Sequence, residues 1–88
     1  MSVKIEHLTE EQIQAQGIRQ WPIWEKEVST FDWFYDNTEQ CLILEGEVIV
    51  KTDQGDFEIK AGDFVTFEKG LECFWEIKKE IRKHYNFL

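Results

Sequence analysis

The sequence predicts an all-β barrel with one short N-terminal helix. Beyond Pro22, the only proline, apolar and polar residues alternate with a period of two, which is typical of strands that face a core on one side. Turn-forming groups rich in Gly, Asp and Asn separate these runs at regular intervals, as in barrels and sandwiches. The 88 residues suffice for one core, and we expect a single domain over 1–88, with the helix and a leading segment in 1–27 and the barrel in 28–88.

The predicted helix begins after Thr9 and ends near Gly17. Thr9 and Gln12 have the spacing of a capping box, in which each side chain bonds to the other residue's backbone amide at a helix start. Gly17 can take the left-handed conformation that ends many helices.

The predicted strands follow in chain order. Every odd position from Phe31 to Tyr35 is aromatic, which favours a strand. An apolar run over 40–44, a bend at 45–47 and a second run over 48–50 come next. Further strands are expected at 57–60, 64–67, 73–77 and 82–87, which makes about eight short strands in all.

Charge and cysteine content exclude several classes of protein. The chain carries 18 acidic and 10 basic residues, for a formal net charge of −8, which disfavours nucleic acid and anionic membrane surfaces as partners. There is no run of 18 apolar residues and no apolar N-terminal stretch, so we expect a cytoplasmic protein. Cys41 and Cys73 form no C-x-x-C pair, so neither a disulfide framework nor a zinc knuckle is indicated.

Two segments resemble the motifs of the cupin superfamily. Glu39 lies seven residues before Gly46 in an apolar strand, as the metal-binding Glu does in the first cupin motif, and Gly62 and Gly70 keep the spacing of the second motif. The resemblance covers most of the chain. It implies a cupin-type jelly-roll barrel, also called a double-stranded β-helix, and an expected homodimer, because cupins often dimerise.

The chain also looks like the small cupins grouped with (S)-ureidoglycine aminohydrolase. The residues that carry this likeness are the aromatic strand from Phe31, Glu39-Gln40-Cys41, Ala61-Gly62-Asp63 and the terminal Arg82-Lys83-His84-Tyr85. The resemblance implies, as one alternative, a metal-dependent enzyme of that type.

The cupin histidines are absent from both motifs. Cys73 takes the place of the second-motif His, and the first-motif His pair would fall at Asp32 and Phe34 or at Trp33 and Tyr35. We therefore predict no resident cofactor. If a divalent metal does bind, its ligands would come from Glu39, Cys73 and His84, with Cys41 as a further thiolate; the other interpretation is that the thiols are simply buried.

Glu39 is the leading candidate for a catalytic role. An inward carboxylate in an apolar barrel is costly unless a cation or donors meet it. Lys83 or Arg82 on the last strand, Tyr35 or a Trp indole N–H are the possible partners. We predict a polar cluster of Glu39, Lys83 and Tyr85 at the barrel mouth, and these three are the candidate catalytic residues.

Aromatic residues admit two interpretations. They either line a pocket for a small organic ligand or fill the barrel interior. Trp21 and Trp24 precede the barrel and are candidates for a subunit contact. The predicted ligand-binding set is Trp33, Tyr35, Glu39, Cys41, Phe67, Cys73, Trp75 and Tyr85.

Three functions remain open from the sequence. The first is a cupin that binds a small organic metabolite without the usual His metal site. The second is the metal-dependent aminohydrolase-type enzyme, and the third is a non-catalytic scaffold or interaction protein. The sequence does not decide whether the protein is an enzyme.

Overall fold

A computed structural model describes residues 2–88 and contains seven strands and one α-helix. The strands are β1 (Val3–Glu6), β2 (Ile23–Lys26), β3 (Ser29–Phe34), β4 (Glu39–Thr52), β5 (Gly55–Lys60), β6 (Phe64–Phe67) and β7 (Glu72–Phe87). The helix α1 spans Glu10–Ala15 and is followed by one 3-10 turn over Ile18–Gln20. This content confirms the predicted all-β fold with one short N-terminal helix.

The helix begins and ends where its sequence signals lie. The Gln12 amide donates to Thr9 Oγ1 at 3.2 Å, and the Thr9 amide donates to Gln12 Oε1 at 2.9 Å, which completes the predicted capping box. Gly17 follows the helix with φ +65°, in the left-handed region. Ile13 is the buried residue of α1 and fixes the helix to the outside of the sheet.

The two long strands β4 and β7 form the centre of one antiparallel sheet. They pair from Glu39–Phe87 to Lys51–Phe74, with register shifts near Gly46. β6 pairs with the first part of β4, and β5 pairs with its second part. β3 pairs with the first part of β7, and β2 pairs with its second part. The sheet therefore has two halves joined by β4 and β7, an arrangement consistent with a jelly-roll barrel.

Gly46 lies in the middle of β4, between the two runs 40–44 and 48–50 that were predicted as separate strands. At this position φ is +100°, and a Cβ atom would lie 2.2 Å from the carbonyl oxygen of Glu80 on β7. The chain bends there without leaving the sheet. The expected bend at 45–47 therefore lies inside one long strand, β4. The expected gap between 73–77 and 82–87 is wrong, because β7 runs through it without interruption.

Two strands in the leading segment, β1 and β2, were not predicted from the sequence. β1 pairs with β6 and β2 pairs with β7, so both belong to the same sheet as the rest of the chain. Each has only four residues, and its pairing partners lie 55 to 64 residues further along the chain. Local periodicity gives little signal for such short strands.

The sheet separates two apolar clusters. The larger one fills the barrel and includes Val48, Val65 and Ile81. The smaller one, formed by Ile13 and Phe64 with their neighbours, lies between α1 and the outer face of β4 and β6. Side chains of β4 and β7 alternate between these two environments, and this alternation decides which residues reach the site.

The helices in residues 2–88 include none with the length and apolar character of a membrane span.

Candidate functional site

The barrel contains a cavity of about 180 Å³ whose walls are largely aromatic. β2 and β3 form one side of it, and β7 and the start of β4 form the other. Its lining residues are Trp24, Phe31, Trp33, Tyr35, Glu39, Trp75, Lys83, Tyr85 and Phe87. Trp33 and Phe87 are about half exposed and stand at the rim, whereas Tyr35 and Trp75 are buried.

A buried ion pair is the polar centre of the cavity. Lys83 Nζ donates to Glu39 Oε2 at 2.8 Å, and each side chain is only 5% exposed. Glu39 opens β4, while Lys83 lies on β7 opposite Ile43. An ionised carboxylate in such surroundings needs a charge partner and donors, and Lys83 supplies both. Tyr85 lines the same cavity, but within residues 2–88 it makes no hydrogen bond to either member of the pair.

Aromatic rings surround the Lys83 ammonium group. Its Nζ atom lies 4.9 Å from the ring centre of Trp75, 5.1 Å from that of Trp24 and 5.9 Å from that of Phe67. These distances are within the range of cation–π attraction. The ammonium is therefore held by one carboxylate and by ring faces, a setting that keeps it fixed at the cavity wall.

Two buried donors beside the pair lack partners. The Tyr35 hydroxyl and the Trp75 indole Nε1 are the orphaned buried polar atoms in the described part of the chain. Burial raises the pKa of Tyr35 well above its usual value of 10.0, and the negative charge of Glu39 adds to the effect. Tyr35 therefore stays a neutral phenol, and its ring stacks on Phe67 at 4.7 Å.

Three residues of the predicted ligand-binding set do not line this cavity. Phe67 lies behind Tyr35 and forms part of its support. Cys41 is completely buried, and burial raises its pKa to about 12 although the charge of Lys83 acts in the opposite direction. Cys73 borders a shallow depression on the other side of Trp33, and burial raises its pKa to about 11. Both thiols are therefore protonated near neutral pH.

The structure does not bring the possible metal ligands together. His84 faces the outer cluster, where Nδ1 lies 2.9 Å from the Trp21 carbonyl oxygen, so it points away from Glu39. No group of three or more His, Cys, Asp or Glu side chains in residues 2–88 is arranged to hold a metal ion. Among residues 2–88, Glu39 is the one carboxylate that lines the cavity, and it is bonded to the Lys83 ammonium. The donor set therefore does not fit the divalent metal that the cupin resemblance implies.

The other histidine belongs to a structural turn. His7 Nε2 lies 2.7 Å from Asp63 Oδ1, and Asp63 Oδ2 accepts from the Lys60 amide at 2.9 Å. Asp63 is buried, whereas the His7 side chain is largely exposed. The Gly62-Asp63 part of the second motif thus fixes the turn between β5 and β6 and lies outside the cavity.

Three lining residues, Trp24, Phe31 and Phe87, are absent from the predicted ligand-binding set. Phe31 and Phe87 share the alternation of Trp33 and Tyr85, so the sequence does contain a signal for them. Trp24 lines the cavity because β2 pairs with β7 and sets it opposite Lys83, which no local pattern indicates. Trp21 instead packs on Phe64 in the outer cluster, with ring centres 6.3 Å apart.

Comparison with known proteins identifies the relatives of this fold. Residues 13–85 match a family described as the EutQ-like cupin domain. A DUF861 family protein from Thermotoga maritima has 52% identity and a TM-score of 0.96, with 99% of this chain and 100% of that chain covered. No curated protein matches significantly.

More distant structures are similar in fold alone. The EutQ protein of Clostridium difficile has 18% identity and a TM-score of 0.66, covering 94% of this chain and 64% of that one. A cupin superfamily protein from Desulfitobacterium hafniense DCB-2 has 13% identity and a TM-score of 0.61, covering 99% of this chain and 77% of that one.

Proposed function

The chain belongs to the EutQ-like cupin domain family, and from this premise we propose that its barrel binds a small organic metabolite without a resident metal. The observation that carries the proposal is the Lys83–Glu39 pair inside an aromatic cavity. Burying two charges costs several kcal/mol per ion in desolvation, and apolar residues of equal volume often serve stability as well. A buried ion pair on a cavity wall is therefore better explained by recognition of a ligand than by a contribution to the stability of the fold.

The composition of the cavity supports the same function. Small-molecule sites are concave and mostly apolar, with a few polar groups that orient the ligand. Here seven aromatic residues line the walls, and Glu39 and Lys83 are the charged groups. The aromatic rim formed by Trp33 and Phe87 leaves the cavity open at one end, because both side chains are about half exposed.

The alternatives have weaker support. A metal-dependent enzyme of the (S)-ureidoglycine aminohydrolase type, and kinship with that group, would require ligands that Glu39, Cys73 and His84 do not jointly provide. A scaffold or interaction protein has no need of charged groups in an open cavity. Glu39, Lys83 and Tyr85 remain the candidates if the bound molecule also reacts.

A ligand screen with matched tryptophan variants tests the proposal. A metabolite set is screened for an increase in melting temperature, since a ligand that binds only the folded state must stabilise it. Hits should lose affinity with Trp24→Phe, which changes the cavity wall, and keep it with Trp21→Phe, which changes the outer cluster. No stabilisation by any compound, or an equal loss with both variants, contradicts the proposal.

Quaternary structure and location also remain predictions. We propose a homodimer, which is supported by the exposed apolar side chains of Ile23, Val28 and Phe34, none of which lines the cavity. Sedimentation velocity over a range of concentrations measures the mass directly, and a monomer at all concentrations contradicts it. The cytoplasmic location, checked by cell fractionation, rests on the sequence alone.

A further inference from the structure

We infer that the ligand is one flat unsaturated ring of about benzene size that carries a neutral amide group. This inference rests on the proposed function and specifies the chemistry of its ligand. Four properties of the cavity support it: its volume, its walls, its net charge and its unpaired hydrogen-bonding groups.

The volume admits one ring and little more. The cavity measures about 180 Å³, and an apolar protein cavity of about 150 Å³ is known to accept benzene. The difference leaves space for a substituent of only a few atoms. A nucleotide, a fused polycyclic molecule or a long acyl chain is therefore too large to be enclosed.

The walls favour a flat and unsaturated ligand. Phe31 and Trp75 are stacked with ring centres 5.8 Å apart and 19° between their planes, and Trp24 meets Trp75 edge to face. Aromatic rings attract other rings in offset-stacked and edge-to-face arrangements. A flat ring can use both kinds of contact at once, whereas a saturated chain cannot.

The charge of the cavity favours a neutral ligand. Glu39 and Lys83 neutralise each other, so any charged ligand would leave a net charge in largely apolar surroundings, which is costly. A ligand cation meets a further obstacle. The Lys83 ammonium already lies over the faces of Trp24 and Trp75, and a second cation there would be repelled.

The donors and acceptors of the cavity wall that lack a hydrogen-bond partner are complementary to a ligand amide group. An ammonium has three N–H donors, and the hydrogen bond to Glu39 Oε2 uses one of them. Within residues 2–88 Lys83 Nζ makes no second hydrogen bond, and its other N–H groups meet only ring faces. The Tyr35 hydroxyl has no hydrogen-bond partner in the same part of the chain. A ligand carbonyl oxygen can accept from these donors. Glu39 uses only Oε2 toward Lys83, so Oε1 can accept from a ligand N–H. A neutral amide offers this acceptor and donor side by side.

Four ring probes of similar size test the inference by calorimetric titration at pH 7. Benzamide is neutral with a carbonyl and N–H, benzoate is an anion, benzylamine is a cation, and toluene has no polar group. Benzamide should bind at least about tenfold more tightly than each of the other three, since a tenfold ratio corresponds to about 1.4 kcal/mol. Equal or tighter binding of benzoate, benzylamine or toluene overturns the inference.

The screen described above separates the two possible failures. If benzamide does not bind but other metabolites stabilise the protein through Trp24, the inference fails and the proposed function stands. If no compound of either set binds, both fail.

A variant that changes the net charge of the cavity provides a second test, measured as the preference for benzamide or benzoate. Glu39→Gln leaves Lys83 unneutralised, so the preference should move from benzamide toward benzoate by at least about tenfold. Glu76→Gln is the matched control, because Glu76 pairs with Lys51 and Lys78 away from the cavity and should leave the preference unchanged. An unchanged preference in folded Glu39→Gln, with folding checked by circular dichroism, overturns the inference. If that variant does not fold, the order of the four probes on the wild-type protein decides.

Discussion

The Lys83 ammonium on β7 donates a 2.8 Å hydrogen bond to Glu39 on the neighbouring strand β4, although the two residues are far apart in the sequence. Glu39 begins β4, and Lys83 lies 44 residues later on β7. In other cupins the Glu of this motif binds a metal cation, as the resemblance of the motif implies. Here an ammonium from the chain itself meets that carboxylate. Both residues line the cavity, and this is the basis of the proposed ligand site.

A double-mutant cycle measures the energy of this pair. Glu39→Leu or Lys83→Met alone should lower the free energy of unfolding by about 3–5 kcal/mol, because each leaves one buried charge without its partner. The double variant should recover most of that loss. Urea unfolding of the four proteins gives the values, and additive losses would show that the two groups do not interact.

Gly46 should be intolerant of any side chain. Gly46→Ala places a Cβ atom against the Glu80 carbonyl oxygen, in addition to the strain of a positive φ, and we expect a loss of more than about 2 kcal/mol. Gly62→Ala is the matched control, since φ there is +97° and no atom lies within 4 Å of the added carbon. Urea unfolding compares the two variants, and equal losses would contradict the steric explanation.

Stability should fall in alkaline solution as Cys41 titrates in the unfolded chain. Its pKa is about 12 in the folded protein against an ordinary value of 9.0. Below pH 9 both states hold the proton, so the contribution to stability is complete. Between pH 9 and 12 only the unfolded state loses its proton, and the free energy of unfolding should fall by about 4 kcal/mol in total.

Cys41→Ala isolates this effect. Other groups also titrate above pH 9, Tyr35 and Cys73 among them, so the useful quantity is the difference in slope between wild type and variant. The slope of the free energy of unfolding against pH should be smaller for Cys41→Ala. Identical slopes would contradict the assignment of the effect to Cys41.

The parts of the fold that depend on local signals were predictable from sequence. The capping box at Thr9 and the left-handed Gly17 each act within a few residues. The resemblance of the Glu39 and Gly46 segment to a cupin motif implied a jelly-roll fold, and an inward Glu39 carboxylate was the hypothesis built on it. Glu39 is indeed buried, and Gly46 marks the bend of β4.

The parts that depend on pairing between distant strands were not predictable in the same way. Trp24 reaches the cavity only because β2 pairs with β7, which no local pattern indicates. His84 is a different case. It follows Lys83 directly, so alternation along one strand sends the two side chains to opposite faces. Cys73 and His84 also lie an odd number of positions apart on the continuous strand β7, which separates them in the same way; two separate predicted strands do not reveal this.

Site-resolved binding of benzamide tests the central claim most directly. In ¹H–¹⁵N spectra the four Trp indole N–H groups can be observed separately after assignment by single Trp→Phe variants. Benzamide should shift the indole signals of Trp24 and Trp75, which line the cavity, and leave that of Trp21 unchanged in the outer cluster. If calorimetry shows that benzamide is bound, unchanged signals from Trp24 and Trp75, or an equal shift of Trp21, would contradict a ligand site at the Lys83–Glu39 pair.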